Sequence, residues 1–177
     1  AGTYVVSVDD ANGCGEVTTL VTIEEPTGVS ASVVVDSNAT CNGFSDGGLT
    51  ASATGGSGAY TYAWSNAATS ASISGVMATT YTVTITDATG CTGTASGTVT
   101  EPDAVAPLVV VDSNVTCNGL SDGGLTASAT GGTGAYTYAW NTGATSATID
   151  GLAATTYTVT ITDANGCTGT TSGTITE

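Results

Sequence analysis

The stretch that decides the fold is YTVTITDATGC, Tyr81–Cys91. It returns as YTVTITDANGC at Tyr157–Cys167 and, more loosely, as YVVSVDDANGC at Tyr4–Cys14. Apolar residues alternate with threonines at a period of two, so the stretch predicts a strand with Tyr81, Val83 and Ile85 facing inward and Thr82, Thr84 and Thr86 outward. The Asp-Ala-Thr-Gly and Asp-Ala-Asn-Gly segments that follow predict a tight turn leading into a cysteine.

Working outward, Cys41 recurs as Cys117, Trp64 as Trp140, Tyr81 as Tyr157 and Cys91 as Cys167, each offset by 76 residues. The segment CNGFSDGGLTASATGGSGAYTYAW at Cys41–Trp64 is repeated almost letter for letter at Cys117–Trp140. These offsets predict one full repeat over 26–101 and a second over 102–177. Residues 1–25 read as the last two strands of a preceding copy, so the chain reads as a piece of a longer polypeptide. Glu24–Pro26 (EEP) and Glu101–Pro107 (EPDAVAP) mark the joints, where proline ends strand pairing and stiffens a short linker.

Within a repeat every periodic run is a strand run. Leu49, Ala51 and Ala53 share a face, as do Tyr60, Tyr62 and Trp64, and glycine-rich turns separate the runs. No run has helical period. Six or seven short strands in each copy predict an all-β fold: tandem immunoglobulin-like Greek-key β-sandwiches arranged end to end, each with a thin core that a covalent staple would help.

Composition narrows function. The chain has no Lys, Arg or His and fifteen acidic residues, for a net charge of −15. Nothing here can neutralise phosphates, which argues against a nucleic-acid partner, and an anionic membrane surface is disfavoured likewise. No apolar run is long enough for a membrane-spanning helix, and no signal peptide is visible. Without His or Lys there is no Ser-His-Asp triad, Cys-His pair or Schiff base. Carboxylate pairs alone would have to carry any hydrolysis, and these acids sit mostly in turns and linkers. No enzyme is expected.

Together, the CNGxSDG, ASATGGSGAYTYAWSN, ISGVMATTYTVTITDATGC and TVTEP segments resemble the SprB-type repeat, over nearly the whole chain. The resemblance implies tandem repeats in very large surface proteins of Bacteroidota, including a gliding-motility adhesin. It also implies secretion by the type IX route and no enzymatic activity. Thr79 and Thr155 stand where many family repeats carry Gly, which implies a turn variation.

Two cysteines per repeat in such a chain predict disulfides. Connectivity follows from parity. With seven strands the chain would enter a sandwich at one end and leave at the other. Cys41 would then lie at the opposite end from Cys91 and within reach of Cys167 across the joint. With six strands Cys41 could pair with Cys91, and Cys117 with Cys167. The inter-repeat bridge is slightly preferred, with Cys14, Cys91 and Cys117 finding partners partly outside the sequence.

Asp46, Glu101, Asp103 and Asp163 are expected to gather at the joint, where they could hold Ca²⁺ or simply remain solvated. The threonine rows read as exposed strand faces that could contact water or sugars. Asn38 and Asn114 begin N-glycosylation sequons.

Two functions compete. One is the structural shaft of a secreted adhesin or extracellular filament, whose partners are neighbouring repeats and other copies. The other is a calcium-dependent module binding glycans or surfaces. A binder should diversify an exposed loop, and Ser65–Ser70 against Asn141–Ser146 is the loop that varies.

Overall fold

The computed structural model describes residues 1–13 and 15–177; the expectation for Cys14 lies outside them. Among the described residues every regular element is a strand. A two-stranded hairpin comes first, β1 (Gly2–Val8) with β2 (Val17–Ile23). The first full copy forms β3 (Ser30–Ser37), β4 (Gly47–Thr54), β5 (Thr61–Trp64), β6 (Ser72–Val76), β7 (Thr80–Thr86) and β8 (Thr92–Thr98). The second forms β9 (Ala106–Ser113), β10 (Ser121–Thr130), β11 (Thr137–Trp140), β12 (Thr148–Ala153), β13 (Thr156–Thr162) and β14 (Thr168–Thr174). Each copy builds two three-stranded sheets, ordered β3-β4-β6 and β5-β7-β8, then β9-β10-β12 and β11-β13-β14.

The chain forms two compact units: residues 1–33, 51–71 and 82–96, and residues 34–50, 72–81 and 97–177. The second unit contains all of the second copy together with the part of the first copy that carries Cys41.

In the second copy the alternation of the sequence becomes a core between the two sheets. Leu125, Ala127, Ile149 and Leu152 from one sheet pack with Trp140, Tyr157, Val159 and Ile161 from the other, and Val115 and Ile175 close one end. The residues 76 positions earlier, among them Leu49, Ala51, Trp64, Ile73, Tyr81, Val83 and Ile85, are buried as well. Burying these side chains is the main stabilising term, and their polar atoms are satisfied. The Trp140 indole Nε1 donates to Ser146 O at 2.9 Å, and the Tyr157 hydroxyl donates to Ala153 O at 3.1 Å. The tyrosine bond resembles the corner tyrosine of immunoglobulin sandwiches. On the outer face, Thr156 and Thr160 pair their hydroxyls with those of Thr174 and Thr170 at 2.9 and 3.3 Å. The inner residues repeat in the hairpin as Tyr4, Val6 and Val8, and there they are exposed.

Each copy has six strands, yet the chain does not return to the end where it began. β12 pairs only with the first part of β10, from Ser121↔Ala153 to Thr126↔Thr148. β11 pairs only with the last part of β13, from Thr137↔Thr162 to Trp140↔Val159. β11 and β12 are thus two half-length strands that cover one traverse of the sandwich, changing sheets midway. The copy makes five traverses, an odd number, so it has a leading end where the chain arrives and a trailing end where it departs. The parity argument tied six strands to cysteines at one shared end; half strands break that link.

Candidate functional site: the joint at Cys41 and Cys167

Two turns meet at the joint, and each is organised by an aspartate. In the β13–β14 turn at the leading end, Asp163 is buried and wrapped by backbone donors. Its Oδ1 accepts from Asn165 N at 2.9 Å and Cys167 N at 2.8 Å, and its Oδ2 accepts from Thr133 N at 2.7 Å. Burial acts to raise its pKa, but the backbone donors of Thr133, Cys167, Asn165 and Gly166 outweigh it, so the carboxyl titrates below the usual aspartate range. Gly132 lets the neighbouring loop approach: its φ is +64°, and a Cβ there would lie 2.7 Å from Asp163 Oδ2. The result is a rigid seat for Cys167.

In the β3–β4 loop at the trailing end of the first copy, Asp46 accepts from Thr40 N at 3.1 Å and from the Thr40 hydroxyl. Those two bonds, the hydroxyl first, hold its carboxyl below the usual range. Asn38 Oδ1 accepts Thr100 N at 3.0 Å, fastening the loop to the departing chain. The turn itself closes with Phe44 N donating to Cys41 O at 3.1 Å. Its Asn42 Nδ2 and Gly43 N donate to the two oxygens of Glu101 at 3.2 and 2.6 Å, and Asn42 Nδ2 also reaches Pro102 O at 3.2 Å.

These turns bring Cys41 and Cys167 together as a disulfide, with Cα atoms 5.6 Å apart and a sequence separation of 126. Both are buried. Asn165 Nδ2 adds a bond to Thr40 O at 3.4 Å beside the bridge. A small cleft flanks it, about 150 Å³, lined by Phe44, Asp103, Ala104, Val105 and Thr168 among others.

The structure does not hold the alternative pairing of Cys41 with Cys91 and Cys117 with Cys167. Cys91 and Cys117 are free and exposed. The physical reason is the odd number of traverses: Cys117 lies in the trailing-end loop of its copy and Cys167 in the leading-end turn. β13 between the ends has seven residues, or roughly 23 Å at ~3.3 Å per residue, whereas a disulfide needs Cα atoms within about 7 Å.

The four acids expected to gather for calcium are placed differently. Asp46 and Asp163 organise separate turns, Glu101 accepts from the Asn42-Gly43 turn, and Asp103 lines the cleft while its backbone carbonyl accepts Gly132 N at 2.8 Å. Among the described residues no three acidic or cysteine side chains form a group that could hold a metal ion. Sequence reasoning left Asp163 between a calcium ligand and a solvated acid and missed it as a turn organiser; the Asp-x-x-Gly-Cys spacing was the available signal. It likewise read Asn38 and Asn114 as sequons, whereas Asn114 Oδ1 accepts Thr176 N at 2.9 Å, as Asn38 does for Thr100.

The site therefore contains a covalent staple between consecutive sandwich copies and the turns that aim its two halves. The fold defines the class: tandem, antiparallel, immunoglobulin-like β-sandwich repeats. Residues 33–69 and 110–145 match the family model of the SprB repeat. Over those two segments the chain is similar to the SprB repeat. No curated protein matches the chain at a significant level.

Proposed function

We propose that this chain is a stretch of shaft in a secreted bacterial surface adhesin or extracellular filament, built from repeats spanning 26–101 and 102–177, with residues 1–25 ending a preceding repeat. The observation that carries the reading is the Cys41–Cys167 bridge. A covalent bond from one copy to the next serves mechanical continuity. It contributes nothing to catalysis, and it leaves little room for a ligand: the adjoining cleft is about 150 Å³, below the roughly 300 Å³ at which small-molecule pockets begin. Disulfides persist outside the cytosol, which agrees with export and an extracellular location. The net charge of −15 with no cations keeps parallel shafts apart by mutual repulsion.

The test is particle length. Small-angle scattering on chains carrying one, two and three further repeats should give a maximum dimension that rises by a constant increment per repeat. A maximum dimension that grows only as the cube root of mass would overturn the shaft reading.

A further inference from the structure

The bridge uses one cysteine of each copy and leaves the other. Cys117 occupies in the second copy the place of Cys41 in the first, and Cys91 occupies the place of Cys167. Both are exposed thiols. Neither is an isolated cysteine, because in this same molecule the counterpart of each is bonded to the counterpart of the other.

The surrounding frames match as well. The Cys117 turn closes with Leu120 N donating to Cys117 O at 3.0 Å, against 3.1 Å for Phe44 N to Cys41 O. Asp122 accepts from Thr116 N at 3.0 Å and from its hydroxyl at 2.6 Å, as Asp46 does from Thr40. On the other side, Asp87 Oδ1 accepts from Cys91 N and Thr89 N at 2.9 Å each, and its Oδ2 accepts from Ser57 N at 2.8 Å, the pattern of Asp163. Leu120 occupies the place of Phe44, which lines the cleft of the filled joint, and the two are similarly exposed, 47% and 53%.

We propose that Cys117 and Cys91 are the open halves of two further joints of the same kind. Cys117 takes the leading-end turn cysteine of a following SprB-type repeat, and Cys91 takes the trailing-loop cysteine of a preceding one. The array is then stitched by one disulfide at every joint. The occupant is another repeat of this sequence, because it brings the complementary cysteine and the counterparts of Asp103–Val105, which line the cleft beside Phe44 in the filled joint. The Cys91 turn differs from the Cys167 turn in one bond. Asn165 bonds across the filled joint to Thr40 O, whereas Thr89, its counterpart, turns its hydroxyl inward to Asp87 Oδ1 at 2.9 Å.

Closing a joint joins two thiols as S–S with loss of two protons and two electrons. A disulfide oxidant accepts both by thiol–disulfide exchange and leaves as two thiols.

The inference rests on the shaft reading, and one experiment separates the two. The full chain is extended after Glu177 by a further copy of residues 102–177 and equilibrated with glutathione and glutathione disulfide. Bonds are then mapped with a protease that cleaves at acidic residues. At a poise where Cys41–Cys167 is oxidised, Cys117 should be bonded to the added copy's counterpart of Cys167. A Cys117 that stays reduced, or that bonds another cysteine, overturns the proposal. Scattering on the Cys117→Ser variant of the same extended chain reports on the shaft alone. If the length increment persists while the wild-type bridge fails, only the stitched array is wrong; if the increment is missing, the shaft reading falls.

Discussion

Thr133 donates its backbone N–H to Asp163 Oδ2 at 2.7 Å, so the loop after β10 and the turn after β13 are held by one carboxylate. The same carboxylate seats Cys167. Asp87 does the equivalent work for Ser57 and Cys91, and its carboxyl also sits below the usual range because its hydrogen bonds outweigh the opposing effect of burial. A carboxyl with a lowered folded pKa stabilises the fold above its unfolded value, about 3.9. That contribution is lost as pH falls through the lowered folded value. Melting temperature should therefore hold steady from neutral pH to about pH 5 and fall below about pH 4. Asp87→Asn and Asp163→Asn together should lower stability at neutral pH and flatten the acid limb. Melts across a pH series check both; an unchanged acid limb in the double variant would contradict the assignment.

Removing the bridge acts mostly on the unfolded chain. Cys41 and Cys167 close a loop of 126 residues, and restraining so long a loop stabilises by about 5 kcal/mol in the chain-entropy account. Cys41→Ser and Cys167→Ser should each lower unfolding stability by about that much, and the double variant by no more than either single one. Denaturant titration of oxidised, reduced and variant chains measures it. Additive losses in the double variant would mean that the two positions act separately.

Pulling on the ends of the chain offers a direct reading of the same bond. Under oxidising conditions, force entering at residue 1 and leaving at residue 177 crosses from Cys41 to Cys167 and bypasses everything between. Reduction should release about 126 further residues, or roughly 440 Å at ~3.5 Å per residue. Single-molecule force spectroscopy with and without reductant gives the contour length. Equal lengths in the two conditions would show that the bond is absent or carries no force.

One difference between the copies has a cost that can be measured. Ala67 has φ +67°, the left-handed region that side chains disfavour, while the same position in the second copy is Gly143 at φ +87°. Both backbone amides close the turn on the tryptophan, with Ala67 N and Gly143 N each 2.9 Å from Trp64 O and Trp140 O. Ala67→Gly should stabilise by about 1 kcal/mol, and Gly143→Ala should destabilise by a similar amount. Thermal denaturation of the two variants tests the sign.

Much of this architecture is legible because the chain is repetitive and its period is two. Tyr81, Val83 and Ile85 alternate with threonines, and all three are buried; Trp64 and Trp140 mark equivalent core positions. Strand number was less legible. β11 and β12 are four and six residues long, and nothing in TYAW or TIDGLA says that the two share one traverse. That requires knowing which sheet each joins, a long-range choice set by the core. The acids were the hardest to read. Asp46 and Asp163 look alike in composition to metal ligands, and only geometry reveals that backbone and hydroxyl donors occupy them.

The odd number of traverses also bears on inheritance. Each 76-residue period carries one trailing-end and one leading-end cysteine, so a gene that gains or loses a whole period still encodes a chain in which every internal joint is complete. A gain or loss of any other length strands a thiol and misaims a turn. On the proposed shaft reading, length varies in discrete steps of one period while the chemistry of the joint stays unchanged.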